Sequence, residues 1–204
     1  NKADGTSEKV ISPGCVIISG GAEVTDVPFF LSENISVHTD SDGIDYKSHL
    51  YVADETGTAK IKLNGWEQKV IAEEEKRPDF RTWYRNPSKG TGALTLVHNY
   101  KGLNKPFYPD FLIIRKLDGA YVIDILEPHD STRDDNVSKA KALAQYASLH
   151  TIIGRAQLIR LMPSSLVGEE LKRLDFAAHS ELRDKVQHIT TNEELDNLFS
   201  QYGE

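Results

Sequence analysis

The stretch Tyr-Pro-Asp-Phe-Leu-Ile-Ile-Arg-Lys-Leu-Asp-Gly-Ala-Tyr-Val-Ile-Asp-Ile-Leu-Glu-Pro-His-Asp, residues 108–130, constrains the fold more than any other. Two apolar runs, Phe111–Ile114 and Tyr121–Leu126, flank a turn that carries Gly119, and this pattern reads as a β-hairpin. Each strand holds an acid, Asp110 at the start of the first and Asp124 among the isoleucines of the second. Hairpin register decides which acids share a face. With a three-residue loop, Leu117-Asp118-Gly119, Lys116 faces Ala120 and Asp110 lies opposite Leu126. Side chains alternate along a strand, so Asp110 and Asp124 then become diagonal neighbours about 7–8 Å apart at the backbone. With the two-residue loop Asp118-Gly119, parity flips and Asp110 lies opposite Glu127. The first register is preferred because it gathers Asp110 and Asp124 at the strand ends. Two such carboxylates suit Mg²⁺ or Mn²⁺, which stay partly hydrated and activate water for attack on a phosphodiester.

Around the hairpin the chain reads as α/β, with a mixed central sheet flanked by helices. Asn64 caps a helix that runs to about Lys76, with Trp66, Val70 and Ile71 on its apolar stripe. Strands are expected near Thr82–Arg85, Ala93–Val97 and Ala156–Met162, with a helix from Asp134 to His150 before the last of them. Residues 164–204 read as one or two amphipathic helices. Three regions follow: a disordered leader over 1–9, a β-rich N-terminal extension over 10–63, and the core over 64–204.

Of 204 residues 39% are hydrophobic, and the net charge is −7, which argues against gripping nucleic acid by bulk electrostatics alone. No apolar stretch approaches the roughly 20 residues needed to span a bilayer. The single cysteine, Cys15, makes no internal disulfide; it reads as a buried thiol, and the chain as cytoplasmic.

The strings "WEQKVIAEEEKRPDFRTWYRNP" and "FYPDFLII…VIDILEPHDSTRDDNVSKAKALAQYA" resemble the PD-(D/E)XK nuclease superfamily, and within it the C-terminal nuclease domain of helicase-linked restriction enzymes of the type III Res-subunit kind. The resemblance covers roughly residues 48–162. It implies a restriction-endonuclease-like core, Mg²⁺ or Mn²⁺ as cofactor, and DNA and a helicase region of a larger protein as partners. No phosphate-cradling loop ending in Lys-Ser/Thr is present, so such a motor is expected outside this sequence. Carried over by position, Asp110 and Asp124 match the metal-binding acids, and Glu67 matches the glutamate that completes the metal shell. Leu126 departs from the motif, standing where lysine is expected. Either catalysis is lost and the domain only binds DNA or assembles with partners, or the cation comes from Lys139 or Lys141 on the following helix. His129 is a further candidate for orienting water or phosphate. Arg85, Asn86 and Lys89, in a turn-rich basic loop, are the expected DNA contacts; Arg155 and Gln157 are weaker ones.

Overall fold

The computed structural model describes residues 11–16, 25–34, 42–89, 92–150, 153–164 and 168–204. The 1–9 leader and the Cys15 side chain lie outside them. Near the N-terminus β1 (Ile11–Val16) pairs antiparallel with β2 (Thr25–Phe30), and β3 (Ile44–Tyr46) with β4 (Ala59–Ile61). The elements described between residues 11 and 61 are all strands.

Helix α1 (Gly65–Glu74) begins at a complete capping box. Asn64 Oδ1 accepts from the amides of Trp66 and Glu67, and Glu67 Oε2 accepts from the Asn64 amide. There follow β5 (Phe80–Arg85), the separate hairpin β6 (Leu96–Tyr100) and β7 (Leu103–Phe107), then β8 (Phe111–Leu117) and β9 (Ala120–Pro128). Helix α2 (Asn136–Leu149) leads to β10 (Ile153–Ser164), β11 (Gly168–Asp175), α3 (Ser180–His188) and α4 (Asn192–Tyr202). The central sheet has five strands in the order β11-β10-β9-β8-β5. Only β9 and β10 run parallel, joined through α2. This is the mixed, helix-flanked sheet expected from the sequence.

Two apolar layers hold it. Leu112, Ile114, Ile123, Ile125 and Leu158 face α2 and α4, packing on Ala140, Leu143, Leu198 and Phe199. Phe111, Ile113, Leu126 and Ile159 face α1 and β4, packing on Val70, Ile71, Ile61 and Trp83. Each such fully buried side chain contributes roughly 1.5–3 kcal/mol.

The hairpin register differs from the preferred reading. Leu117 pairs with Ala120, so the loop is the two residues Asp118 and Gly119. Their φ values of 49° and 86° are the left-handed pair that a tight hairpin turn requires, and an Asp-Gly dipeptide supplies it at low cost. Asp110 therefore lies opposite Glu127, and Asp124 opposite Ile113 on the other face. Leu126 shares the Asp124 face and is buried in the α1 layer. The shared face expected for Asp110 and Asp124 is corrected by this single-residue change.

Asp124 instead sits in a buried ion network. Arg115 donates to it through Nε and Nη2 at 2.5 and 2.8 Å, and Arg155 through Nε and Nη2 at 2.9 and 2.6 Å. Arg155 also grips Glu74, which accepts from Arg173 as well, while Arg115 reaches Asp79 at 2.6 Å. Arg155 is thus a structural cation. Gln157, bonded to Asp175 at 3.0 Å, is equally internal. A register shift in the β9–β10 pairing between Ile153 and Ala156 brings Gly154 against this network. A Cβ there would lie 2.3 Å from Asp124 Oδ1 and 2.9 Å from Arg115 Nη2. Gly154→Ala is expected to lower stability by about 1–3 kcal/mol, read from the shift in a urea unfolding midpoint.

The region 164–204 contains a strand as well as helices. Residues 168–175 form β11, an edge strand rich in Lys, Arg and Glu, a composition that blunts edge-to-edge pairing. Among the described residues no helix is long and apolar enough to cross a membrane.

Candidate functional site

The β8 and β9 ends at Asp110 and Glu127 open between the N-terminus of α1 and the start of α2. Asn86 builds this corner. Its Nδ2 donates to the carbonyls of Pro109 and Leu94 at 2.8 and 2.9 Å, its Oδ1 accepts from the Leu94 amide, and its own amide donates to the Asp110 carbonyl. Asn86 is buried, so it shapes the strand start and does not present itself to DNA, contrary to expectation. Lys89 is exposed, as a DNA contact would have to be.

Glu127, the partner of Asp110 in the less preferred of the two registers, is the acid that this corner brings to Asp110. Its Oε2 accepts from the Asp110 amide at 3.0 Å, and its Oε1 lies 3.1 Å from both Lys139 Nζ and His129 Nδ1. Lys139 also stands 3.5 Å from Asp135, and its ammonium lies over the Phe107 ring. His129 Nε2 faces Asp135 Oδ1 at 3.3 Å. Two residues apart on α2, Lys139 and Lys141 diverge by about 200° around the helix axis. The Lys141 carbonyl accepts from Gln187 of α3 at 3.4 Å, which sets Lys141 on the α3 side of the helix. Of the two lysines, Lys139 is the one at Asp110 and Glu127.

Glu67 and Arg85 complete the corner. Arg85 pairs with Glu67 Oε1 at 2.8 Å and with Asp110 Oδ1 at 3.1 Å, its guanidinium lying over Phe111. The expected DNA contact Arg85 is thus a strap between two acids of the site. Burial, reinforced by Glu127 and opposed by Arg85, pushes the Asp110 carboxyl up to about 7. In the unfolded chain an aspartate titrates near 3.9. The folded protein therefore holds the extra proton, and the stability associated with Asp110 is full below about 4 and lost as pH rises towards about 7. Asp110→Asn is expected to flatten that decline, measured by urea unfolding between pH 4 and pH 8.

Asn64, Gly65, Trp66, Glu67, Asp110, Pro128, His129, Asp130, Arg133, Asp135 and Lys139 line one cavity of about 720 Å³. Four of the predicted residues, Glu67, Asp110, Lys139 and His129, meet there. Asp124, Lys141 and Asn86 do not. The Glu127 carboxylate accepts from the Asp110 backbone amide, while the Asp110 carboxyl pairs with Arg85, which also holds Glu67; these three acids are the hard oxygen donors at this corner that could hold a divalent cation.

Residues 47–204 match the YagJ family across more than half the chain. The chain belongs to the YagJ family. The YagJ segment contains every residue of the cavity, whereas β1, β2 and β3 precede it. Protein YagJ of Escherichia coli strain K12 is 34% identical over 156 residues, which is 76% of this chain and 60% of that protein. The chain thus spans less than two thirds of that YagJ protein. No solved structure matches.

Proposed function

We propose that this YagJ-family chain is a metal-dependent DNA endonuclease domain, with Asp110, Glu127 and Lys139 as its working residues. The observation that carries this reading is the placing of two acids at adjacent strand ends, the Glu127 carboxylate accepting from the Asp110 backbone amide at 3.0 Å and lying 3.1 Å from the Lys139 ammonium. In the observed register the acid of the acid-x-Lys motif is Glu127, and the position two residues later is His129. Leu126 then ceases to be an anomaly, because it belongs to the core face.

Asp110 and Glu127 would hold the Mg²⁺ or Mn²⁺ ion, with Glu67 near enough to join. When bound, the ion supplies a polarised water and an electrophile for phosphodiester hydrolysis. Lys139 offsets the negative charge that builds on the phosphate. His129, held between Glu127 and Asp135, restrains both acids and lies where a proton can be passed. Arg85 neutralises Glu67 and Asp110 before the ion arrives, which lowers the cost of keeping three acids close. The reducing, cytoplasmic setting belongs to the same proposal and rests on the single cysteine.

A second reading, an inactive nuclease-like module that binds DNA or assembles with a partner, is favoured by the same Arg85 strap. Among the described residues no group of three or more acidic, histidine or cysteine side chains is arranged as a ready metal shell. Plasmid nicking in Mg²⁺ and in Mn²⁺, wild type against Asp110→Asn, separates the two. Cleavage by wild type alone supports the enzyme. Equal, background-level cleavage across metals and DNA forms establishes the inactive module.

A further inference from the structure

Two side chains on the cavity wall are not used by the chemistry just described. Trp66, in the first turn of α1, is only half-buried, and among the described residues its indole has neither a ring partner nor a hydrogen-bond acceptor. The other large aromatics near the sheet are committed: Trp83 packs against Tyr46, His49 and Phe111 and donates through Nε1 to Ser48. Arg133, between β9 and α2, is exposed, and its guanidinium has no ion pair among the described residues, unlike Arg85, Arg115, Arg155 and Arg173. Its backbone is held, since Asn192 of α4 donates to its carbonyl at 3.0 Å and its amide donates to Asp130. An aromatic face without a ring partner and an exposed cation, whose neighbouring charge is Asp130, therefore border the same cavity as Asp110 and Lys139.

We propose that this cavity takes an unpaired DNA strand, with one base stacked on Trp66 and an adjacent phosphate met by Arg133. This assignment rests on the nuclease reading for the chemistry that follows, but not for binding itself. The physical reason is access. A duplex presents phosphates and groove edges and keeps its base faces covered, so an indole set in a cavity wall can stack only on a base that has left the helix. Stacking is indifferent to base identity, because every base has a π-face, so the strand would be held with little sequence preference. The two cations take separate phosphate roles: Lys139, tied to Glu127 and Asp135, serves the reacting phosphate, and Arg133 serves a neighbour. A net charge of −7 argues against a broad basic surface and leaves a local, stacking-assisted grip as the mode this chain can use.

The chain has 2 tryptophans, and Trp83 is fully buried and shielded from a bound base, so quenching of the intrinsic fluorescence by contact reports on Trp66. Titration with oligothymidylate in EDTA, where no cleavage occurs, is expected to quench it, while a blunt duplex of the same length quenches weakly. With fluorescein-labelled oligothymidylate, Trp66→Ala is expected to weaken binding about tenfold or more and Trp66→Phe to retain most of it. Arg133→Ala should weaken binding and reduce its salt dependence by about one phosphate contact. Circular dichroism of each variant checks that it is folded. The proposal is overturned if the duplex binds as tightly as the single strand, or if folded Trp66→Ala binds oligothymidylate like wild type. Trp66-dependent binding without any nicking would remove the nuclease reading and leave this one standing. Nicking without Trp66 dependence would do the reverse.

Discussion

Replacing Asp124 by alanine is expected to lower the melting temperature of the protein by roughly 6–20 °C. The residue is fully buried, and two guanidiniums, those of Arg115 and Arg155, converge on its oxygens. The hydrogen bonds that Arg115 donates to Asp124 are the leading reason that its guanidinium is held in the charged form. Removing one partner of such a pair costs about 3–5 kcal/mol, because the other charge stays buried without compensation. Against a total stability of 5–15 kcal/mol for an ordinary domain, that is a large share. Asp124→Asn should be milder, since the amide still accepts one hydrogen bond. A metal ligand behaves differently: its alanine variant keeps the fold and loses the ion. A melting temperature for Asp124→Ala within about 2 °C of wild type would contradict the structural role of this acid.

The second large effect concerns the helix lysines. Lys139→Ala is expected to slow DNA cleavage by about 10²–10³, the usual consequence of removing one donor aimed at developing negative charge. Lys141→Ala should leave the rate within a factor of two, because Lys141 lies on the α3 side of α2. Lys139→Ala should also lose about 1 kcal/mol of stability, as Glu127 and Asp135 lose a half-buried partner. Rate and stability must therefore be measured on the same preparations. Equal loss from both lysine variants would mean that the helix contributes only general positive charge.

The elements of the sheet were mostly legible because their signals are local. The capping box at Asn64, the apolar runs of β8 and β9, and the small-residue face of α2 each announce themselves within a dozen residues. The site was less legible, since one residue of loop length decides which acid meets Asp110. The Asp118-Gly119 dipeptide is itself the strongest signal for a two-residue loop, and that register makes Glu127 the partner. The role of Asp124 depends on Arg155, which reaches it across the irregular pairing at Gly154, and on Arg115 from the neighbouring strand. Neither contact follows from periodicity. Strand β11 was hidden by its charge, which suits an exposed sheet edge as well as a helix surface. Asn86 read as a basic-loop contact because its sequence neighbours are polar; its burial comes from the β6 approach at Leu94, eight residues away.

Asp110 and Glu127 are proposed to act as a pair. Calorimetric titration of Mn²⁺ into the protein tests this most directly, with wild type, Asp110→Asn, Glu127→Gln and Lys141→Ala compared at one pH. The predicted result is a single Mn²⁺ site in wild type and Lys141→Ala, weakened roughly tenfold or more in each acid variant. Mn²⁺ binding that is absent from wild type, or unchanged by Glu127→Gln, would contradict it.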